Sequence, residues 1–392
     1  MKPLHGIRVL DLSRVLAGPT ASMILADLGA DVVKVEKPGK GDETRQWGPP
    51  FKGGESAYYM SCNRNKRSIT LDIKKGYDIL VKLIEQSDVI ILNFLPDTLH
   101  KLKLTYEDIK NIKSDIIWAS ITGFGLDSSK NNEPGYDVLI QGLSGFMSIT
   151  GEKDGPPMKV GVAICDIFTA LYTVIAIISA LRKRDITREG AKIDNSLLEC
   201  SMASLANVAA NYLIGGIVPG RYGNQHPNIV PYQAFKAKDD YFIVAVGNDE
   251  QFKRLCKIIG KPELAEDNRF RTNPERLKHR DILIPILEKT FAAKERDYWI
   301  NLLKSENIPS GPVRNVKEAF EDPYVKERHF VEEISHPTAG KIRLFTNPIH
   351  MDETTFPIYR HPPLLGEHTE EVLKELGYND RDIAEFKKKG VI

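Results

Sequence analysis

One carboxylate, Asp166, stands alone in the apolar run Val-Gly-Val-Ala-Ile-Cys-Asp-Ile-Phe-Thr-Ala-Leu-Tyr-Thr-Val-Ile-Ala-Ile-Ile-Ser-Ala-Leu that fills positions 160–181. A charge in such surroundings must be satisfied locally or kept for reaction, because burying it unpaired is expensive. Two readings of Asp166 are open. It caps the helix predicted to begin at Ile167, accepting the free N–H groups of the first turn. Alternatively it is a nucleophile, an anion that the same helix terminus stabilises. Cys165 beside it could also act as a nucleophile, although a small buried hydrophobe is the usual role of such a cysteine. His226, His361 and His368 lack metal-ligand spacing and read as structural or surface groups, so no metal is expected.

A second group is cationic: Lys37, Lys40, Arg45, Arg64, Lys66, Arg67, Lys74 and Lys101. The elements around it explain its interest. Ile7–Leu12, Asp31–Glu36, Asp88–Asn93 and Ile116–Thr122 are β-branched runs bounded by turn residues, and Gly18–Leu28, Gly76–Gln86 and Tyr106–Ile112 between them have helical spacing. That alternation predicts an α/β fold with a parallel sheet, whose ligands bind beyond the carboxyl ends of the strands. Cations on that edge suggest a polyphosphate ligand. With no Gly-x-Gly-x-x-Gly, a nicotinamide or flavin is poorly supported.

Past the Gly-, Asn-, His- and Pro-rich stretch Pro219–Pro231, the pattern changes to a hairpin over Tyr232–Val246 with Lys238-Asp-Asp240 at its turn. Helices follow at Asp249–Ile259, Arg280–Ala292 and Glu295–Glu306. The reading is a smaller α+β domain, after which a strand pair and two helices close the chain. Lys plus Arg number 54 against 53 Asp plus Glu, which gives no basic surplus for nucleic acid. Four scattered cysteines without a Cys-x-x-Cys favour a reducing compartment. No signal peptide opens the sequence, and the apolar run Ile167–Leu181 reads as a buried helix too short to span a bilayer. The expected location is the cytoplasm, without membrane attachment.

The segments Gly6-Ile-Arg-Val-Leu-Asp-Leu-Ser13, Leu16-Ala-Gly-Pro19, Ala26-Asp-Leu-Gly-Ala-Asp-Val-Val-Lys-Val-Glu-Lys-Pro-Gly39, Asn63-Arg-Asn-Lys-Arg-Ser-Ile69, Gly135-Tyr-Asp137 and Pro363-Leu-Leu-Gly-Glu-His-Thr369 resemble, in this order, the class III coenzyme A transferases. The stretches Trp47-Gly-Pro-Pro-Phe51, Ala210-Asn-Tyr-Leu-Ile-Gly215 and Ile229-Val-Pro-Tyr-Gln-Ala-Phe-Lys236 are most similar to the succinyl-CoA–glutarate branch. The resemblance implies a Rossmann-like large domain built from both chain ends (1–205 with 331–392), a small α+β domain inserted at 222–330, and two interlocked chains in a homodimer.

It also implies exchange of coenzyme A between an acyl-CoA, succinyl-CoA in this branch, and a free carboxylic acid such as the dicarboxylate glutarate. Asp166 matches the family's nucleophile, which passes through an aspartyl-CoA thioester. Coenzyme A thioesters are then substrates, with no permanently bound cofactor. Carried over residue by residue, the coenzyme A site comprises Leu16, Ala17, Lys37, Leu71, Asp72, Ile73, Lys74, Asn93, Phe94, Lys101, Tyr136 and Asp137. Leu16 stands where the family has Gln, and Lys101 where it has Arg, keeping the charge without the bidentate geometry. The alternatives are an α-methylacyl-CoA racemase of the same fold and a non-catalytic acyl-CoA-binding protein. The racemases place a His where this chain has Tyr136, and a phenol is a poor base for abstracting a proton. Arg14, Arg221 and His226 are candidate cations for a distal substrate carboxylate.

Overall fold

The computed structural model describes residues 2–352 and 355–392, which divide into two compact units. The larger is built from residues 2–146, 159–217 and 323–392. Its centre is a parallel sheet of β1 (Arg8–Asp11), β2 (Asp31–Glu36), β3 (Arg67–Thr70), β4 (Val89–Leu92), β5 (Ile117–Thr122) and β6 (Ala191–Ser196) in the order β3-β2-β1-β4-β5-β6. The order reverses between β1 and β4, which makes that pair the topological switch point where such sheets take ligands.

Both faces of the sheet are covered, and its strands β4 and β5 are nearly continuous apolar runs. Leu10, Val33, Ile69, Ile90 and Trp118 face a core shared with α2 (Tyr77–Glu85) and α4 (Tyr106–Ile112). Val9, Val32, Val89, Ile91, Ile117 and Ala119 face the opposite core, against α1 (Ala17–Asp27) and α6 (Ile164–Thr187). Patterning predicts four strands before residue 123; β3 is the addition to this sheet, and a short hairpin of Phe51–Lys52 with Glu55–Ser56 lies outside it. The β3 sequence Arg-Ser-Ile-Thr carries one aliphatic residue; Arg67 and Ser68 are buried through distant partners and Thr70 is half-buried. Ser68 donates to Glu36, the Thr70 amide donates to Thr369 Oγ1, and Arg67 pairs with Asp31, Glu371 and Glu375. The last two helices, α12 (Thr369–Glu375) and α13 (Asp380–Lys388), close this side through Val372, Leu373 and Ile383.

Helix α6 corrects the expected length of the apolar run. It has 24 residues, of which a stretch of 18 has a mean hydropathy of 2.1, long and apolar enough to cross a membrane, so length does not settle its role. One face packs on α1, β5 and β6, burying Thr169, Ala170, Thr173 and Ile177. The other exposes Leu171, Ile175 and Ile178. α3 (Pro96–Leu102) and α5 (Asp137–Leu143) lie between strands, α7 (Leu197–Ala203) and α8 (Ala206–Leu213) follow β6, and the hairpin β10 (Val331–His336)–β11 (Gly340–Phe345) precedes α12.

The smaller unit comprises residues 147–158 and 218–322. Strands β7 (Tyr232–Lys236) and β8 (Tyr241–Ala245) form the hairpin expected around 238–240, and β9 (Ser310–Pro312) extends it. Helices α9 (Asp249–Ile258), α10 (Arg280–Phe291) and α11 (Arg296–Ser305) lie within about a residue of their predicted ends. Phe291 anchors the core, with the rings of Phe235, Phe242 and Trp299 centred 4.9, 5.2 and 5.2 Å away. Segment 147–158 joins this unit without a mark in the sequence.

Candidate active site

A cavity of 910 Å³ opens at the carboxyl ends of β3, β2, β1 and β4, the position that strand order singles out. Lys37, Leu71, Asp72, Ile73, Lys74, Asn93 and Phe94, all expected to contact coenzyme A, line it together with Arg14, Lys40 and Thr98. Lys101 lies on α3 beside the lining residue Leu102 and is not itself in the wall. Leu16 and Ala17 begin α1, immediately after the lining residues Ser13 and Arg14. Lys37, Lys40 and Lys74 are exposed cations at this mouth.

The rest of the cation cluster is structural, which corrects the sequence reading. Arg64 is buried against Asp27 at 2.6 Å, and Lys66 reaches Asp11 at 3.2 Å with both side chains fully buried. Arg45 forks onto Glu36 and stacks on the Tyr59 ring, while Arg67 is taken by Asp31 and two glutamates of α12. Buried ions need such partners because an unpaired one costs several kcal/mol. Nothing in the sequence marked Lys34 and Asp42, which are buried and paired at 3.0 Å in the wall of the cavity. Although burial opposes ionisation of Asp11, Lys34 and Lys66 hold its carboxyl down to about 2.

Asp166 sits in the first turn of α6 and does not cap it. The cap comes from elsewhere: Asp137, at the start of α5, accepts the amide hydrogens of Cys165 at 2.8 Å and Asp166 at 3.4 Å through Oδ1. Its Oδ2 accepts Gln141 Nε2 at 2.6 Å, and Gln141 is completely buried with its Oε1 accepting the Val160 amide. Asp137 reaches this position because Gly123, after β5, and Gly135 cross closely. A Cβ built on Gly123 would lie 2.6 Å from the Gly135 Cα.

The Asp166 carboxylate is half-buried and, among the described residues, has no hydrogen bond or cation. Burial first, and then the negative charge of Asp137, lifts its pKa from 3.8 to about 7. A basic carboxylate released from a capping role can do nucleophilic or proton-transfer chemistry near neutrality. The adjacent Cys165 is fully buried and its thiol is pushed up to about 11, mainly by burial, which disfavours the thiolate.

Tyr58, unmarked in the sequence, belongs to this neighbourhood. Burial raises its phenol, and the charges of Asp166, Asp137 and Asp42 add to that rise. Trp47 supports it edge-on at 5.2 Å. A tyrosine and tryptophan eleven residues apart carry no periodic signal that would reveal this contact. Tyr136 is 64% exposed at the N-terminus of α5. Of the three candidate cations for a distal carboxylate, only Arg14 lines the cavity, where it pairs with Glu43. Arg221 donates to the Glu152 and Gly155 carbonyls, and the His226 Nδ1 accepts the Asn228 amide.

Comparison with known proteins fits this geometry. A family model described as CoA-transferase family III matches residues 4–369. The succinyl-CoA:glutarate CoA-transferase of Homo sapiens is 45% identical over all of this chain and 90% of its own length. The succinate–glutarate CoA-transferase of Agrobacterium fabrum is also 45% identical, over 95% of this chain and 96% of its own. A crystal structure of a CAIB/BAIF family protein from Brucella suis superposes with a TM-score of 0.85 at 43% identity, covering 96% of this chain and 99% of that one. With the match running through the switch-point cavity and the isolated carboxylate alike, the protein belongs to CoA-transferase family III and is an enzyme of that class.

Proposed function

We propose that this enzyme moves coenzyme A from succinyl-CoA to a dicarboxylate, glutarate, through covalent intermediates on Asp166. The observation that carries the proposal is the Asp166 carboxylate itself, unpaired, basic and displaced from helix capping by Asp137. The printed names of the relatives from Homo sapiens and Agrobacterium fabrum supply the two acids.

In this mechanism ionised Asp166 attacks the succinyl thioester carbonyl, and the C–S bond breaks to give an aspartyl–succinyl anhydride and coenzyme A thiolate. The thiolate attacks the aspartyl carbonyl, releasing succinate and leaving aspartyl-CoA thioester. Glutarate repeats the sequence in reverse: its carboxylate displaces the thiolate, and the thiolate then attacks the glutaryl carbonyl and frees Asp166. No proton is gained or lost overall, and an anhydride keeps each acyl group activated enough to remake a thioester. Water must be excluded meanwhile, which the half-buried setting of Asp166 favours.

The cavity at the switch point would take coenzyme A, with Lys37, Lys74 and Lys101 toward its phosphates and Leu71–Ile73, Asn93 and Phe94 along its length. Leu16, Ala17, Tyr136 and Asp137 complete the contacts carried over from the family. The same reading takes 1–205 with 331–392 as the coenzyme A-binding domain and 222–330 as the inserted one. An interlocked homodimer is supported by the apolar side chains left uncovered on α6 and at the end of α8, where Leu213 is 77% and Ile214 87% exposed.

Intact-mass analysis after brief incubation with succinyl-CoA tests the proposal. A coenzyme A or succinyl adduct mapped to Asp166 and discharged by glutarate is expected. Glutaryl-CoA formation at the normal rate by Asp166→Ala would overturn it.

A further inference from the structure

Between β1 and α1 the chain makes a turn in which Val15 adopts φ +72°. That region is unfavourable for a β-branched residue and persists only when the surroundings impose it. The surroundings here are unusually complete. The Ser13 amide donates to Asp11 Oδ1 at 2.9 Å, and the Ser13 carbonyl accepts Lys34 Nζ at 2.9 Å. Asn93 takes both backbone groups of Arg14, accepting its amide at 3.1 Å and donating to its carbonyl at 2.8 Å. The Val15 amide is shared by the two Asp42 oxygens at 3.3 and 3.2 Å, and the Cys62 thiol lies 3.9 Å from the Val15 carbonyl.

Every backbone polar group of Ser13–Val15 therefore ends on a side chain, and none of those side chains is adjacent in sequence to Val15. Asp42 and Lys34 are each 1% exposed, and Asp11 is wholly buried. Burying charges under a turn adds little net stability compared with a packed apolar core. Holding a strained backbone in one geometry is something an apolar core does less well. Close packing tightens the turn further: a Cβ on Gly18 would lie 2.2 Å from Ser13 Oγ.

We propose that Asp42 and Asn93 are positioning residues that clamp Val15 in its strained conformation and so hold Leu16 and Ala17 in register with bound coenzyme A. The inference rests on the reading of the cavity as the coenzyme A site. It gives Asn93 a second task, since its amide is already engaged at both ends by Arg14. Asp42, although part of the cavity wall, acts through the Val15 amide.

Steady-state kinetics with succinyl-CoA on the full chain test this, using Asp42→Ala, Asn93→Asp and each combined with Val15→Gly. Asp42→Ala removes the acceptor for Val15. Asn93→Asp keeps an acceptor but cannot donate to the Arg14 carbonyl. Each single variant is expected to raise KM for succinyl-CoA about tenfold or more, as misplacement of a binding segment does. Adding Val15→Gly, which occupies φ +72° without strain, is expected to recover most of that loss. KM measured on folded protein is insensitive to lost stability, so recovery separates positioning from general support of the fold.

If Asp42→Ala does not fold, Asn93→Asp at the cavity rim carries the test with its own glycine partner. Wild-type KM in the single variants, or defects that Val15→Gly leaves untouched, would overturn the proposal. A wild-type chain that neither binds nor turns over succinyl-CoA would instead overturn the functional reading, and would do so before any variant is made.

Discussion

Asp137→Asn probes the electrostatics of the nucleophile most directly. The amide keeps an oxygen for the Cys165 and Asp166 N–H groups and removes the charge facing Asp166. In the native protein the rise from 3.8 to about 7 disfavours the ionised carboxylate by on the order of 4 kcal/mol. Burial is the larger cause and Asp137 the smaller, so the charge accounts for less than half the rise, at most about 1.5 pH units. Attack requires ionised Asp166, and kcat/KM should therefore fall on the acidic side of about 7.

In Asp137→Asn the acidic limb should move down, by no more than about 1.5 pH units. It should not reach the ordinary aspartate value, because burial persists. The assay is initial-rate formation of glutaryl-CoA from succinyl-CoA between about pH 5 and 9, resolved chromatographically. An acidic limb that stays in place or moves upward in the folded variant would refute the reasoning.

Three further outcomes follow from the same geometry. Asp166→Asn should abolish transfer yet stabilise the fold at alkaline pH. A carboxyl whose folded pKa is raised contributes stability that is lost as pH rises through about 7, so the gain should approach a few kcal/mol by denaturant titration at pH ~8 and vanish near pH ~4. Lys74→Ala and Lys37→Ala, which remove exposed cations at the cavity mouth, should each raise KM for acyl-CoA roughly three- to tenfold with kcat nearly unchanged, and added salt should shrink the difference. Arg64→Ala, by contrast, strands the buried Asp27 carboxylate and should cost about 3–5 kcal/mol in urea unfolding, with no specific effect on KM.

The sequence disclosed the elements whose pattern is local. The strands around Leu10, Val33, Ile90 and Ala119 and the helices of the smaller unit lie where alternation and helical spacing predict them. Alternation also located the ligand edge, and the residues carried over from the family include about a third of those lining the cavity, Lys37 and Leu71–Lys74 among them. Pairings between distant residues were illegible. Arg64 and Lys74 look alike in a sequence, yet one is sealed against Asp27 and the other faces solvent. Asp166 resembled a helix cap because a lone acid at the start of an apolar run commonly is one. The actual cap, Asp137, lies 29 residues earlier, just past the close crossing of Gly123 and Gly135.

The pairing of β3 with the last helices has a consequence for biosynthesis. Arg67 and Glu375 are 308 residues apart, and Asp72 just beyond β3 donates its amide to the carbonyl of Val391. The flank of the sheet at β3 therefore stays open on the ribosome while some three hundred residues are added, including all of 218–322. A chain emerging N-terminus first carries an uncovered strand edge for that whole interval, a template for pairing with other nascent chains. Its charged and hydroxylated sequence, Arg-Ser-Ile-Thr, is poorly suited to such pairing, so the polarity that hid this strand from pattern recognition also protects the unfinished molecule.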